Sequence, residues 1–235
     1  MVQLSLPKGS KPSTGKVHKA PAGAKNVKTY KVYRYDPEVD ADPRWDVYEV
    51  SSDDHGPMLL DALIHIKNTM DPTVAFRRSC REGVCGACGF LVNGVPHGPL
   101  DTTPACRQHL RAFPGVTHFK LEPWRSTAFR VVRDLTVDRG PLDALIRAGG
   151  TVDVMTGTAP DADTVPQPKE QAEQALDFAS CIGCGACVAA CPNGSAMLFT
   201  SAKITHLAML PQGQPERDSR VLAMVAQHDA EGLGG

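Results

Sequence analysis

The eight cysteines of this 235-residue chain fall into two tight groups, and this grouping restricts the possible folds more than any other feature. The two groups are Cys80, Cys85, Cys88 and Cys106, and Cys181, Cys184, Cys187 and Cys191. A disulfide framework spreads its cysteines along the chain, so tight groups favour a reducing compartment. Aromatic residues make up only 6% of the chain, while 21 glycines and 19 prolines indicate many loops and turns. Such a chain needs cross-links besides its apolar core, and bound groups held by cysteines can provide them.

The first group has the spacing CxxxxCxxC with a fourth cysteine downstream. This is the spacing of a plant-type two-iron (2Fe-2S) cluster. Gly83, Gly86 and Gly89 lie beside the ligands, where they let the backbone come close enough for its N–H groups to bond the sulfurs. A zinc site usually has paired CxxC knuckles and fits this spacing poorly. Disulfides or unliganded thiols are the remaining alternative.

The second group forms the run CIGCGACVAACP, which matches the bacterial ferredoxin pattern CxxCxxCxxxCP in full. Cys181, Cys184 and Cys187 can hold one four-iron (4Fe-4S) cluster, while the fourth cysteine of such a run ordinarily reaches a different cluster. No cysteine follows Cys191 in the sequence. Two interpretations stay open: all four cysteines bind one cluster, or the sequence ends before the missing ligands. A zinc knuckle fits poorly, because four cysteines this crowded strain a tetrahedral site.

Periodicity predicts a mixed α+β domain over about residues 27–125. Alternating apolar and polar β-formers predict strands, and a helical stripe of leucine and isoleucine predicts one helix after Pro57. Asn93-Gly94 predicts a hairpin turn. The predicted strands are 27–35, 45–50, 89–92 and 116–121, and the predicted helix is Met58–Met70.

In the rest of the chain, residues 126–235, the spacing of apolar residues predicts an all-α domain of short helices. Its helical candidates are 128–137, 142–148, 170–179, 195–209 and 216–231, with a turn-rich linker over 156–167. At the other end, residues 1–26 form a basic segment, and from Met1 to Tyr35 there are eight Lys or Arg and no acidic residue. This segment predicts a solvated, poorly ordered arm, or else an arm that docks on an acidic partner.

Charge and motifs exclude several classes of function. The formal net charge of -1 gives no basic field, so we expect no nucleic-acid partner. No run of about 18 apolar residues occurs, so we expect no transmembrane segment in this chain. No nucleophile–base constellation or phosphate-binding glycine loop is evident. We therefore expect any chemistry on a substrate to belong to a partner subunit, and this chain to carry electrons.

Two motifs together resemble those of a known family. The segment FRRSCREGVCGAC and the run CIGCGACVAACP, supported by GPMLLDALIHIKN and FRVVRDLTVDR, resemble the iron-sulfur subunit of succinate dehydrogenase and fumarate reductase. The resemblance implies a plant-type ferredoxin-like (β-grasp) domain followed by an all-α bacterial-ferredoxin-like domain. It also implies three clusters, a flavoprotein partner with FAD, a membrane anchor with quinone, and a peripheral position on the cytoplasmic face of the inner membrane.

The resemblance further implies a role for each cysteine. The 2Fe-2S cluster would be ligated by Cys80, Cys85, Cys88 and Cys106. The 4Fe-4S cluster would be ligated by Cys181, Cys184 and Cys187. The last cysteine of the run, Cys191, would ligate a three-iron (3Fe-4S) cluster or complete the 4Fe-4S site. Family members normally continue into a third cysteine group that closes both of the latter clusters, and this sequence ends before it. Pro192 would border the quinone pocket, although Asn193-Gly194-Ser195 replaces the aromatic run of many relatives. The alternative function is a free-standing electron-transfer ferredoxin or a subunit of another oxidoreductase.

Two histidines and three arginines lie close to the first cysteine group in the sequence. His97 and His109 flank Cys106, but four thiolates already complete a two-iron site, so we predict neither histidine as a ligand. The three arginines indicate either a surface that docks a partner or compensates charge, or else a solvated loop. They are Arg77, Arg78 and Arg81.

Overall fold

The computed structural model describes residues 11–100, 103–126, 128–152, 167–210 and 214–233. The chain divides into two compact units. The first unit contains residues 1–125 and 129–138, and the second contains residues 126–128 and 139–235.

Six strands of the first unit form one mixed sheet. They are β1 Ser13–His18, β2 Val27–Arg34, β3 Arg44–Ser51, β4 Leu91–Val92, β5 Val95–Pro96 and β6 His118–Glu122. Their order across the sheet is β1-β3-β2-β6-β4-β5. Strand β2 is antiparallel to β3 and parallel to β6, while β4 runs antiparallel to β6. Together with the helices, this sheet confirms the predicted α+β fold class.

Helix α1, Leu59–Thr69, packs its apolar face into the core of the same unit. Its buried residues recur at three- and four-residue spacing, and they join a core that contains Tyr30, Tyr48 and Phe119. At the helix start, the N–H of Met58 donates to the Asp61 carboxylate over 3.1 Å. The helix predicted over 58–70 is confirmed, and so are the four predicted strands and the turn between β4 and β5.

The first described residues contradict the prediction of a poorly ordered arm. Strand β1 pairs in parallel with β3. The N–H of Lys16 donates to the Asp46 carboxylate over 2.8 Å, and Lys19 Nζ lies 2.7 Å from the Glu49 carboxylate. The prediction was wrong for residues 13–18 because composition does not reveal the open edge of β3, whose unpaired N–H and C=O groups favour an added strand. Residues 1–10 lie outside the described part of the chain.

A hairpin occupies residues 131–137, where the sequence predicted a helix over 128–137. Strands β7 (Val131–Arg133) and β8 (Thr136–Val137) pair antiparallel. Between them Asp134 has a φ of +47°, a left-handed conformation that a right-handed helix does not contain. Its carboxylate accepts the N–H groups of Tyr35 and Ala75 over 2.9 and 2.8 Å. A short apolar run fits both the helical period of about 3.6 residues and the strand period of about two residues. These contacts with distant residues therefore decided between helix and hairpin.

A buried ion network lies around Arg34, which is 3% exposed. Its guanidinium lies 3.0 Å from the Asp46 carboxylate and 2.7 Å from the Asp71 carboxylate. A third carboxylate, that of Asp134, lies 3.1 Å from Nε. One side chain therefore joins β2, β3, the segment after α1 and the β7–β8 turn.

Five helices form the described part of the second unit. They are α2 Gly140–Gly149, α3 Lys169–Ala179, α4 Ala186–Ala190, α5 Met197–Ala208 and α6 Gln214–Ala230. Helix α2 packs against α6, and α5 packs against α3, α4 and α6. The helices predicted over 142–148, 170–179, 195–209 and 216–231 are confirmed. The predicted linker over 156–167 lies outside the described residues, apart from Gln167.

Candidate metal centres

The loop that carries the first three cysteines turns backbone N–H groups toward sulfur. The N–H of Glu82 lies 3.3 Å from Cys80 Sγ, and the N–H of Ala87 lies 3.5 Å from Cys85 Sγ. Successive N–H groups that point inward form a concavity that binds anions. Thiolates and an anionic cluster are groups of this kind, so the loop suits the two-iron cluster predicted for it.

Left-handed backbone at three positions makes this inward turning possible. The three are Arg81 (φ +62°), Gly83 (φ +80°) and Gly86 (φ +67°). At Gly83 an added Cβ would also lie only 2.9 Å from Arg107 Cγ. Both the backbone conformation and the lack of space therefore require glycine at this position.

Replacing Gly83 with valine should prevent normal assembly of the two-iron site. A β-branched residue in a left-handed conformation costs about 1–3 kcal/mol, and the contact with Arg107 adds to this cost. We expect iron and acid-labile sulfide per chain, and the two-iron EPR signal, to fall several-fold. Gly115→Val is the matched control, because Gly115 has a φ of +74° and open space around it. Equal cluster content in the two variants would refute this account of the loop.

The thiols of the first group lie near enough to act on one another's sulfur: Cys85 acts on Cys80, and both Cys106 and Cys85 act on Cys88. The N–H of Glu82, and next the thiol of Cys85, lower the pKa of Cys80 to about 6. Burial raises the pKa of Cys88, and the neighbouring thiol of Cys106 raises it further. The N–H of Cys106 also lies 3.4 Å from Cys88 Sγ. The structure therefore brings the four predicted ligands close to one another, with Cys88 and Cys106 buried, Cys80 partly buried and Cys85 exposed.

Helix α1 anchors both segments of this site. The N–H of Leu60 donates to the carbonyl of Ala105 over 3.1 Å, which fixes the residue before Cys106 to the helix N-terminus. The Arg81 guanidinium lies 2.5 Å from the Asp61 carboxylate. Sequence reasoning missed Asp61, because helical periodicity does not identify a carboxylate that pairs with a loop 20 residues away. The other arginines of the loop are exposed, and they are Arg77 and Arg78.

The two nearby histidines occupy structural positions. His97 is buried, and its ring lies edge-on to Trp124 with the centroids 5.1 Å apart. The indole also requires the small size of Gly89, where an added Cβ would lie 2.6 Å from the Trp124 ring. Nδ1 of His109 accepts the N–H of Arg111 over 3.1 Å.

His97→Asn should make the first unit less sensitive to acid. Burial lowers the pKa of His97 to about 4, so the folded chain keeps the ring neutral while the unfolded chain binds a proton below about pH 6.5. The free energy of unfolding therefore falls as the pH drops below about 6.5, by about 2 kcal/mol at pH 5 from this group, and the loss levels off below about pH 4. Asparagine removes this loss and tolerates the φ of +65° at this position.

Urea unfolding at pH 7 and pH 5 measures this difference. His118→Asn is the control, because His118 is exposed on β6. We expect the control to keep the full pH dependence of the unchanged protein. The same dependence in His97→Asn would show that this ring does not cause the loss.

The second cysteine run brings three of its thiols close together. Burial raises the pKa of Cys184, and the nearby thiol of Cys181 raises it further. Burial also raises the pKa of Cys187, with contributions from Cys184 and Cys181. The N–H of Ala186 lies 3.5 Å from Cys184 Sγ, and the left-handed Gly185 (φ +84°) begins helix α4. The three thiols can therefore serve as three ligands of one cluster, and the N–H group of Ala186 can bond to one of the sulfurs.

Cys191 has a different environment, although it belongs to the same run. It follows the last residue of α4, and the N–H groups of Ser195 and Asn193 lower the pKa of its thiol. Pro192 is exposed in the turn that follows. The structure therefore gives Cys184 and Cys187 neighbouring thiols and gives Cys191 the backbone N–H groups of the turn that follows it.

Three further observations concern metals and membranes. None of the eight cysteines, all of which are described, forms a disulfide. In the described ranges, no three His, Cys, Asp or Glu side chains form a group suited to a single metal ion. No helix in those ranges is both long enough and apolar enough to cross a bilayer.

Two families of known domains match this chain. The family described as a 2Fe-2S iron-sulfur cluster binding domain matches residues 29–144. The family described as a 4Fe-4S binding domain matches residues 175–195. These matches confirm the two predicted cluster types, while the 3Fe-4S cluster stays a prediction.

Curated relatives are similar over most of the chain. It is 37% identical over 193 residues to the succinate dehydrogenase iron-sulfur subunit of Paracoccus denitrificans, a match that covers 82% of this chain and 70% of that protein. It is 35% identical over 179 residues to the fumarate reductase iron-sulfur subunit of Haemophilus influenzae, covering 71% of this chain and 65% of that protein. The chain thus spans about two thirds of the length of these relatives.

A solved structure has the same fold. The match is to a chain of the Mycobacterium smegmatis Sdh1 complex in the apo form, with a TM-score of 0.59 and 20% identity. It covers 88% of this chain and 96% of that chain, and at this identity it supports the fold alone. With 37% identity across 70% of a curated relative, this chain belongs to the family of succinate dehydrogenase and fumarate reductase iron-sulfur subunits.

Proposed function

We propose that this chain relays electrons between the FAD of a flavoprotein subunit and quinone at a membrane anchor. The observation that carries the proposal is the division within the second cysteine run. Burial and the neighbouring thiols of the run raise the pKa of Cys184 and Cys187, whereas the N–H groups of the residues that follow Cys191 lower the pKa of its thiol. A ligand that is separate from the other three supports a further cluster next to the four-iron cluster, as a relay requires.

Each cysteine has a proposed ligand role. The 2Fe-2S cluster is held by Cys80, Cys85, Cys88 and Cys106. The 4Fe-4S cluster is held by Cys181, Cys184 and Cys187, and the 3Fe-4S cluster receives one ligand from Cys191. When bound, such clusters supply reversible one-electron redox centres. The first unit would then be a plant-type ferredoxin-like domain, and the second a bacterial-ferredoxin-like domain.

The chain's own contribution to this chemistry is ligation and electrostatics. Backbone N–H groups lie 3.3 to 3.5 Å from Cys80, Cys85, Cys88 and Cys184 Sγ. Hydrogen bonds to the sulfurs favour the form with the added negative charge and so raise the reduction potential. The substrate chemistry would take place on the flavoprotein subunit.

The proposal includes a peripheral position on the cytoplasmic face of the inner membrane. In the relay, the turn at Pro192 would lie near the quinone pocket, where its exposure leaves it available for contact with an anchor subunit. The residues after it are Asn193, Gly194 and Ser195, which provide polar and backbone groups instead of aromatic surface.

Affinity purification of the tagged protein from detergent-solubilised native membranes tests the proposal. We expect a flavin-containing subunit to co-purify, and we expect succinate to produce the EPR signal of the reduced two-iron cluster in that preparation. An iron-containing chain that purifies without a flavoprotein would refute the proposal and favour a free-standing ferredoxin. A flavoprotein partner with no response to succinate or fumarate would favour another oxidoreductase.

A further inference from the structure

Arg139 binds the outer side of the second cysteine loop. It immediately precedes helix α2, and its side chain is 16% exposed. Its guanidinium donates to the carbonyl of Gly183 over 2.7 Å and to the carbonyl of Cys184 over 3.3 Å. These carbonyls lie 44 and 45 residues further along the chain, so no local pattern in the sequence connects them with Arg139.

The two carbonyls belong to peptide groups whose N–H groups point to the opposite side. In a trans peptide the C=O of one residue and the N–H of the next point in opposite directions. Arg139 therefore fixes the direction of the N–H groups of Cys184 and Gly185. The N–H of Ala186, the next residue, lies 3.5 Å from Cys184 Sγ, which agrees with an inward direction of this stretch of backbone. Left-handed backbone at Gly183 (φ +62°) and Gly185 (φ +84°) accommodates this arrangement.

The charge of Arg139 is only partly balanced. Asp143, one turn along α2, is its ion-pair partner at 3.3 Å, and the Asp143 side chain is 43% exposed. A half-exposed carboxylate is screened by water, whereas the guanidinium is largely buried beside the loop.

We propose that Arg139 is a positioning residue that orients the Cys181–Cys187 loop and raises the reduction potential of the 4Fe-4S cluster held there. The guanidinium fork holds two carbonyls at once, which a lysine ammonium on its flexible stem does less well. Its charge favours the reduced, more negative state of the cluster. The inference rests on the proposed assignment of the 4Fe-4S cluster to this loop.

A redox titration of the protein in its assembled membrane complex, monitored by low-temperature EPR, tests the inference with three variants. Arg139→Gln removes the charge, Arg139→Lys keeps the charge without the fork, and Arg147→Gln removes an exposed charge from the same helix. At a fixed ambient potential, we expect Arg139→Gln to lower the ratio of reduced to oxidised four-iron cluster by about tenfold, which is about 59 mV for a one-electron couple. We expect Arg139→Lys to retain most of the potential and Arg147→Gln to leave it unchanged.

Measuring the iron and sulfide content per chain shows whether a variant assembles its clusters poorly. If Arg139→Gln loses the four-iron signal while Arg139→Lys keeps it and the two-iron signal persists in both, the positioning role is supported. Midpoint potentials of the four-iron cluster that are equal in Arg139→Gln and Arg147→Gln would overturn the inference. So would equal shifts in Arg139→Gln and Arg139→Lys. A protein with its native residues that has no four-iron signal would overturn the cluster assignment itself, and the inference with it.

Discussion

Cys187→Ala should abolish the four-iron EPR signal, whereas Cys191→Ala should leave that signal and remove the three-iron signal. The reason is that burial and the nearby thiols of Cys184 and Cys181 raise the pKa of Cys187, whereas the N–H groups of Ser195 and Asn193 lower the pKa of Cys191. Loss of a residue that supports a metal ligand already lowers metal affinity by about 10–100-fold, so loss of the ligand itself should exceed this. Low-temperature EPR of the assembled complex, with iron and sulfide analysis, gives the measurement.

Ser180→Ala is a suitable control, because Ser180 precedes the run and its hydroxyl donates only locally, to the carbonyl of Asp177 over 2.7 Å. It should keep every signal. If Cys187→Ala and Cys191→Ala lose the four-iron signal equally, all four cysteines bind one cluster. The proposed relay through a third cluster would then be wrong for this run.

Arg34→Met should destabilise the first unit by about 3–5 kcal/mol, because removing one partner of a buried ion network leaves the other charges uncompensated. Three carboxylates lie within 3.1 Å of this guanidinium, and two of them, Asp46 and Asp134, have side chains only 1% and 3% exposed. Methionine keeps most of the volume, so the loss measures charge and hydrogen bonding more than a cavity. The free energy of unfolding in urea, followed by near-UV circular dichroism, is the appropriate measurement.

Arg133→Met provides the comparison for this effect. The Arg133 side chain is 49% exposed and lies 3.6 Å from the Asp36 carboxylate, so its removal should cost less than about 1 kcal/mol. Adding Asp134→Asn to Arg34→Met should recover part of the loss, since it removes one of the unpaired charges. Similar losses in Arg34→Met and Arg133→Met would mean that the buried network contributes little to stability.

Local patterns predicted most of the elements and failed at two places. The stripe of leucine and isoleucine in α1 and the alternation in β2 and β3 have strong periods, so their types and approximate bounds could be predicted from the sequence. Residues 131–137 carry an apolar run that is too short to distinguish the period of a helix from that of a strand. Their hairpin depends on Asp134, whose carboxylate binds the backbone N–H groups of Tyr35 and Ala75. Residues 13–18 read as a charged arm, and they became a strand because β3 offered an open edge.

The sequence by itself determined the cluster types, because the spacing of the cysteines within each motif is a local property. Tertiary structure alone decided what surrounds the ligands. It placed Asp61 against Arg81, His97 against Trp124, and Arg139 against the carbonyls of the second loop. These partners are far apart in sequence, and each contact forms only when strands and helices pack, so no local pattern contains it.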